Sequence, residues 1–413
     1  MNPENEVKRT RLAEGTTQPA QSSTETMRAV TYQGKKSVKV SEVPKPLITH
    51  PKDVIVKVTA CTICSGSDSH IYCGEIQPTE KGSILGHEGC GVITEVGQDV
   101  KKFKVGDRVV IAFDIACGEC EYCKRGEFTG CDMTNDSQEM KDMYGHAHCA
   151  IFGYSKLLGS VPGSQAQYVR VPIADVNCYP IPDDVPDEKA LYLSDVLCTS
   201  LHAAEMGEVG PGDTVAIWGL GPIGLYTARW CQIKGATRII GIDSVKERLQ
   251  LAAHKFGIEV LDRSNMSKDE VIKELQRRCP RGFDVCIEAA GFRFSETLKS
   301  KIERAIGLQT DTADILTEIF TVVRKFGRVS IIGDYIGFAN HFPIGYIMMK
   351  HLTLRSGQCP CQKYFKTVMD HVRDGSVDPT WMITHKITLD EVPDAYDKLH
   401  QQKDGYIKVL IKP

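Results

Sequence analysis

The stretch Cys117-Gly-Glu-Cys120-Glu-Tyr-Cys123, followed after seven residues by Cys131, limits what this chain can fold into more than any other segment. Four thiols in so short a span, in a loop that also holds Gly118, Gly126 and Gly130, have the number and the reach to enclose one tetrahedral zinc. A zinc with four thiolates has no open position, so such a site is expected to brace a lobe rather than do chemistry. A pair of disulfides and a set of unrelated buried thiols are the competing readings. Nothing else marks the chain as secreted, which favours the metal.

At 413 residues the chain is long enough for two domains with full cores. Its formal net charge of −3 gives no electrostatic case for a nucleic acid or an anionic membrane surface as partner. No apolar run has the length needed to span a bilayer. Sixteen cysteines scattered over so long a chain point to a reducing compartment, and a cytoplasmic location is expected. Residues 1–26 are polar and lack both apolar periodicity and the hydrophobic core of a secretory signal. Lys8, Arg9 and Arg11 hint at an organellar presequence, but Glu4, Glu6, Glu14 and Glu25 argue against one. A disordered tail is expected there, with folded sequence starting at Met27.

From Met27 to about Val110 the chain reads as short β-rich segments. Asp53 to Ala60 and Gly91 to Gly97 alternate apolar and polar residues. An irregular stretch, Tyr144 to Gly163, follows the cysteine lobe. At Asp213 the pattern changes to alternating strands and helices. Thr214 to Trp218, Arg238 to Asp243, Phe283 to Glu288 and Arg328 to Gly333 are the strand candidates, with helices over Ile223–Lys234 and Val245–Phe256. That alternation means right-handed crossovers and a parallel sheet. Phe294 to Gly307 reads as a helical insertion. Beyond about Leu354 the pattern is mixed again, and the chain is expected to return to the first domain over 354–413. The expected domains are therefore 27–200 with that return, and 201–353.

Gly219-Leu-Gly221-Pro222-Ile223-Gly224 follows a predicted strand and opens a predicted helix. Alone, G-x-G-x-x-G is weak evidence. In this position its glycines make the tight turn, admit a pyrophosphate to the backbone and let helix pack on strand. The helix N-terminus offers unpaired N–H groups and a positive dipole end to the phosphates. Asp243 ends the next strand, where an acidic group can accept hydrogen bonds from the ribose hydroxyls and repel a 2′-phosphate. NAD is therefore expected over NADP, with Arg248 and Lys246 as the residues that could soften the exclusion. A Gly-rich turn that binds nothing is the competing view.

Three separated segments carry further ligand-type residues: Cys61 to His70, Gly86-His87-Glu88, and Ser194-Asp195 to His202. Spacing alone decides none of them. Taken with the cysteine lobe and Gly219 to Gly224, and in this order, they resemble the zinc-containing medium-chain alcohol dehydrogenases from about Met27 to the C-terminus. Within that family the chain is most similar to the glutathione-independent formaldehyde dehydrogenase-like enzymes. Asp195 in place of a Cys ligand, Gln165-Ala-Gln-Tyr-Val, the insertion after Gly291 and Ser356-Gly-Gln-Cys-Pro carry that finer likeness.

The resemblance implies an α/β architecture: a GroES-like β-rich catalytic domain and a Rossmann doubly wound parallel sheet that binds the dinucleotide. It implies two zinc ions per chain, one catalytic and one structural. Cys64, His87 and Asp195 would bind the catalytic zinc, with Glu88 a near neighbour of the metal. Three protein ligands leave a fourth position for water or a substrate oxygen. Asp68 would orient His87. Ser67 would pass the alcohol proton outward with His70 as a later relay; for His70 a plain surface imidazole is the competing view. One departure from the family stands out, because Ser65 and Gly66 both lie between Cys64 and Ser67 where a single residue is usual. Either the loop bulges and Ser67 keeps its place, or the register shifts and the relay is altered.

The activity expected is zinc-dependent interconversion of an alcohol and its aldehyde or ketone, by hydride transfer with NAD. Aldehyde dismutation with tightly held NAD is a second possibility, and a non-redox enzyme or binding protein on the same fold is a third. The partners expected are a small alcohol or aldehyde and further copies of the chain, as a homodimer or homotetramer.

Overall fold

The computed structural model describes residues 21–76, 78–291 and 311–413. The expected insertion over Phe294 to Gly307 lies outside them. Two compact units emerge, one holding the chain up to Cys198 and again from Cys359 to Pro413, the other Thr199–Gln358.

In the first unit, alternating apolar residues make strands that share one mixed sheet. Its order is Ile383–Thr388, Lys408–Lys412, Val54–Cys61, Gly89–Val96, Arg108–Ile111 and Cys178–Pro180, with Tyr168–Val171 also paired to Val54–Cys61. Antiparallel pairing places Cys61 opposite Gly89. The loop after the first of these strands and the residues just before the second therefore meet at one end of the sheet. A separate ribbon joins Gln21–Gly34 to Ser37–Pro46. Its first residues correct the expected tail over 1–26: Gln21 pairs with Pro46 and Thr26 with Pro44. Gln21, Thr24, Glu25 and Thr26 stay exposed while the ribbon orders their backbone, so a polar composition does not signal disorder there.

The second unit is a six-stranded parallel sheet in the order Glu259–Asp262, Arg238–Asp243, Thr214–Trp218, Phe283–Glu288, Val323–Ile331, Thr353–Ser356. The order reverses beside Thr214–Trp218, the point where open α/β sheets take ligands at the carboxyl ends of their strands. Pro222–Ile233, Lys246–Lys255, Lys268–Arg278 and Asp314–Val322 are helical. Trp218, Ile240, Phe283, Ile319 and Phe320 are among the side chains that fill the core of this unit. The expected return of the chain at 354 is corrected to Cys359. Thr353–Ser356 pairs in parallel with Val323–Ile331 and completes the sheet, and its short, mostly exposed run carries no apolar signature by which to recognise it.

Candidate metal centre and dinucleotide turn

Cys117, Cys120, Cys123 and Cys131 lie with their sulfurs within 4.8 Å of one another. All sixteen cysteines are free, so the disulfide alternative is excluded. The backbone N–H groups of Glu119 and Cys120 each donate to Cys117 Sγ at 3.3 Å, and the Cys117 N–H donates to Cys131 Sγ at 3.3 Å. Crowding splits the acidities: hydrogen bonds from Cys123 and Cys131 pull Cys117 down to about 2, while bonding to Cys117 pushes Cys131 far up. Four sulfurs so close cannot all be charged without a cation among them, and a soft divalent ion suits the set.

A second cluster forms at the sheet end where Cys61 faces Gly89. One ligand atom each from Cys64, His87, Glu88 and Asp195 lies within 4.8 Å of the others. Cys64 comes from the loop after Val54–Cys61, and His87 and Glu88 from the residues before Gly89–Val96. Asp195 follows the short 3-10 turn Leu191–Ser194. The Ser194 carbonyl accepts from the Phe113 N–H at 3.2 Å and from the Cys361 thiol at 3.2 Å, which ties Asp195 to the sheet.

Asp68 organises the cluster. Its Oδ2 accepts from the Cys64 N–H at 2.9 Å and from Gln165 Nε2 at 3.1 Å, and its Oδ1 faces His87 Nδ1 at 3.3 Å. The other ring nitrogen, Nε2, is left pointing to Asp195 Oδ2 at 3.5 Å, and the Phe113 ring meets the His87 ring edge-on. Burial works against a charged His87 ring, but Asp68, Asp195 and Cys64 outweigh it and hold the pKa well above the usual range. Burial pushes the Cys64 thiol up, against the pull of His87. Among the sites the sequence pointed to, the Ser65-Gly66 loop ends at Gly66, which caps the helix Ser67–Tyr72. Cys64 and Asp68 are therefore bonded to each other across the longer loop. His70 is buried, with Nδ1 2.8 Å from Glu75 Oε2, which removes the surface-imidazole view.

Lys408 and Tyr396 were not picked from the sequence, and Gln165, named there within a family segment, was given no role at this centre. Lys408, fully buried, places Nζ 2.5 Å from Glu88 Oε1 and 3.1 Å from the Ile63 carbonyl. Burial pushes the Glu88 carboxyl up to about 7, against the Lys408 charge. Gln165 and Tyr396 continue the network, the Tyr396 hydroxyl donating to Gln165 Oε1 at 3.0 Å. Glu88 Oε2 has no hydrogen-bond partner. A thiol, an imidazole and carboxylates converging with an unpartnered buried oxygen suit a zinc with one position left open.

In the second unit, Gly219 has φ +88°, and a Cβ on Gly224 would stand 1.8 Å from the Gly219 carbonyl oxygen, so helix Pro222–Ile233 packs on the strand only with glycine there. A Cβ on Gly221 would meet only Arg248 Nη1, at 4.0 Å, which leaves the helix N-terminus, Pro222 and Ile223 included, open to a phosphate. Asp243 is buried and spans the turn: Oδ2 accepts from the Leu220 N–H at 2.6 Å, and Oδ1 from Ser244 and Val245 at 2.7 and 2.9 Å. Arg248 Nη1 stands 3.8 Å from Asp243 Oδ2. The turn, the open glycine and the acid at the strand end fit a dinucleotide.

Comparison with known proteins matches residues 50–183 to the alcohol dehydrogenase GroES-like domain and residues 222–303 to the zinc-binding dehydrogenase domain. The chain is 59% identical to a zinc-type alcohol dehydrogenase-like protein of Schizosaccharomyces pombe, over 96% of this chain and 94% of the relative. It is 32% identical to the glutathione-independent formaldehyde dehydrogenase of Pseudomonas aeruginosa, over 89% of this chain and 94% of that protein. The finer likeness to that group is thus distant. Among solved structures, the alcohol dehydrogenase TADH from Thermus sp. ATN1 superimposes with a TM-score of 0.79 at 31% identity, covering 94% of this chain and 99% of that one.

Proposed function

The chain belongs to the zinc-containing medium-chain alcohol dehydrogenase family, and from that premise we propose that it interconverts an alcohol and its aldehyde or ketone by hydride transfer with NAD. The observation that carries this is the pairing, in one chain, of the Cys64–His87–Glu88–Asp195 cluster with an intact dinucleotide turn. Zinc, when bound, supplies a Lewis acid that stabilises negative charge on the substrate oxygen. NAD, when bound, accepts or returns the hydride.

The chain's own residues prepare for both. Cys64, His87 and Asp195 would hold the catalytic ion, and Cys117, Cys120, Cys123 and Cys131 a structural one. Asp68 Oδ1 faces His87 Nδ1 at 3.3 Å, which would leave Nε2 for the metal. Lys408 neutralises Glu88, so the buried charge left over is that of the two anionic ligands, Cys64 and Asp195, which one divalent ion balances. Ser67 begins the helix that carries Asp68 and His70, and the buried His70, with Nδ1 against the more exposed Glu75 beyond the helix, would pass the alcohol proton outward. Asp243 favours a free ribose diol over a 2′-phosphate, hence NAD over NADP.

Sixteen free cysteines suit the cytoplasm. Ile344, Met348 and Met349 are 65%, 78% and 77% exposed just before the edge strand Thr353–Ser356. That apolar rim supports assembly of two or more copies along the sheet edge. Among the described residues no helix is long and apolar enough to cross a membrane.

The test is metal analysis of purified protein followed by an alcohol panel read as NADH formation. Two zincs per chain and turnover on at least one primary, secondary or polyol alcohol are expected. Far fewer than two zincs would overturn the proposal. Full zinc and cofactor loading without turnover would leave a binding role, and equal acid and alcohol formed from an aldehyde without added cofactor would mark dismutation.

A further inference from the structure

Glu288 ends the strand Phe283–Glu288 at the carboxyl edge of the parallel sheet, and it is fully buried. Four backbone N–H groups converge on it. Its Oε1 accepts from Ala290 and Gly291 at 2.9 and 2.8 Å, and its carbonyl oxygen from Ile332 and Gly333 at 2.9 and 3.1 Å. One residue thus knots together the two loops that leave adjacent strands. The first loop also lies against the dinucleotide turn: the Ala289 N–H donates to the Trp218 carbonyl at 2.8 Å, and a Cβ on Gly219 would stand 2.7 Å from the Ala289 oxygen.

The remaining oxygen is the anomaly. Among the described residues, Glu288 Oε2 is buried and has no hydrogen-bond partner. Backbone closes over it, since a Cβ on Gly333 would lie 2.2 Å from it. Carboxylate charge on a buried oxygen without a hydrogen-bonded donor is strongly disfavoured. The anion is the costlier form in this space, and its solvation requires the loop beside it to part.

We infer that Glu288 is a positioning residue for the dinucleotide, whose carboxyl ties down the Ala290–Gly291 loop beside the turn and whose ionisation, opposed by the closed surroundings of Oε2, forces that loop to open. The inference rests on the NAD reading of this unit and adds a pH dependence to it. Burial pushes the Glu288 carboxyl up to about 7, while the N–H groups of Gly291, Ala290 and Gly333 pull it down and Asp334 raises it further. Of the other groups facing it, the Tyr335 phenol is buried without a hydrogen-bond partner and feels Glu288, Asp311 and Asp314. The flanking strand partners, Trp218 and Ile331, do not titrate. The anion also adds negative charge to a site that must take a pyrophosphate, so both effects weaken binding in the same direction as pH rises.

The experiment is a fluorescence titration of the zinc-loaded full chain with NADH at pH 6 to 8.5, beside hydrogen exchange of the unliganded protein. The Kd of the wild type should rise about tenfold over that range, the factor carried by one unit of pKa displacement between free and bound protein. Glu288→Gln, which keeps the Oε1 acceptor and cannot ionise, should show a flat Kd. Asp334→Asn should move the wild-type midpoint to lower pH. Intrinsic-rate-corrected protection at Ala290 and Gly291 should fall with pH in the wild type and stay constant in Glu288→Gln. A pH-independent wild-type Kd, or the same slope in Glu288→Gln, would overturn the inference. Absence of NADH binding at every pH would overturn the NAD reading instead, and the amide protection would still decide whether the carboxyl grips its loops.

Discussion

At the scale of single residues, the metal centre depends on partners that stand far apart in the chain. Lys408 neutralises Glu88 across 320 positions and is itself enclosed, with 1% of its side chain exposed. Replacing it by methionine leaves a buried carboxylate beside two acidic ligands. Lys408→Met should cost about 3–5 kcal/mol, read as a lowered denaturation midpoint, because a stranded buried charge is worse than none. Adding Glu88→Gln to that variant should recover much of the loss. Asp68→Ala removes the acceptor behind His87 and should weaken catalytic zinc roughly 10–100-fold in a chelator competition, leaving the four-cysteine ion in place. Cys64, His87 and Asp68 could be picked out only because their short segments, in that order, resemble those of a known family; spacing alone did not single them out. Lys408 and Tyr396 could not, and Gln165 was named only within a family segment, since such residues gain their role only when long-range strand and helix packing encloses them.

At the scale of elements, the turn from Thr214–Trp218 into Pro222–Ile233 was legible because steric demands write glycine into fixed offsets. Gly224→Ala would drive a Cβ to within 1.8 Å of the Gly219 oxygen and must open the turn. NADH binding should be lost by fluorescence titration while zinc content stays unchanged. The two-residue strand Asp114–Ile115 was not legible: it is too short to show a period, and its acidic residue reads as surface. Yet Asp114 is fully buried and neither carboxyl oxygen has a hydrogen-bond partner. Burial pushes the carboxyl up to about 7, against the weaker pull of nearby polar groups: its own backbone, Gln362 and the Cys361 backbone. A folded pKa above the unfolded one gives stability that is whole below pH about 4 and is lost as pH rises through about 7. Asp114→Asn should therefore match the wild type near pH 4 and exceed it at pH 8 by a few kcal/mol, at about 1.4 kcal/mol per pKa unit, in urea melts at each pH.

For the whole molecule, strand-helix alternation announced the parallel sheet from Asp213 onward, and alternating apolar residues announced the β-rich part before it. The limits were harder. Gln21 to Thr26 are polar because the ribbon they join faces water, and Thr353–Ser356 is nearly all exposed, so neither stretch shows the burial pattern that marks an element. Each unit should answer to its own ligand. Adding NADH should protect amides within Thr199–Gln358, and stripping zinc with a chelator should expose amides of the other unit around Cys64, His87 and the 117–131 lobe, both read by hydrogen exchange.

That the first unit is assembled from chain before Cys198 and again after Cys359 bears on how it is made. A ribosome delivers Cys64, His87 and Asp195 long before the strand Lys408–Lys412 that must slot in beside Val54–Cys61. The nascent chain therefore carries an open, thiol-bearing sheet through the synthesis of the whole intervening segment, which is continuous and free to fold first. Capture of zinc before Lys408 emerges would leave Glu88 without its counter-charge. Closure of the sheet around this centre therefore waits for the last strand of the unit.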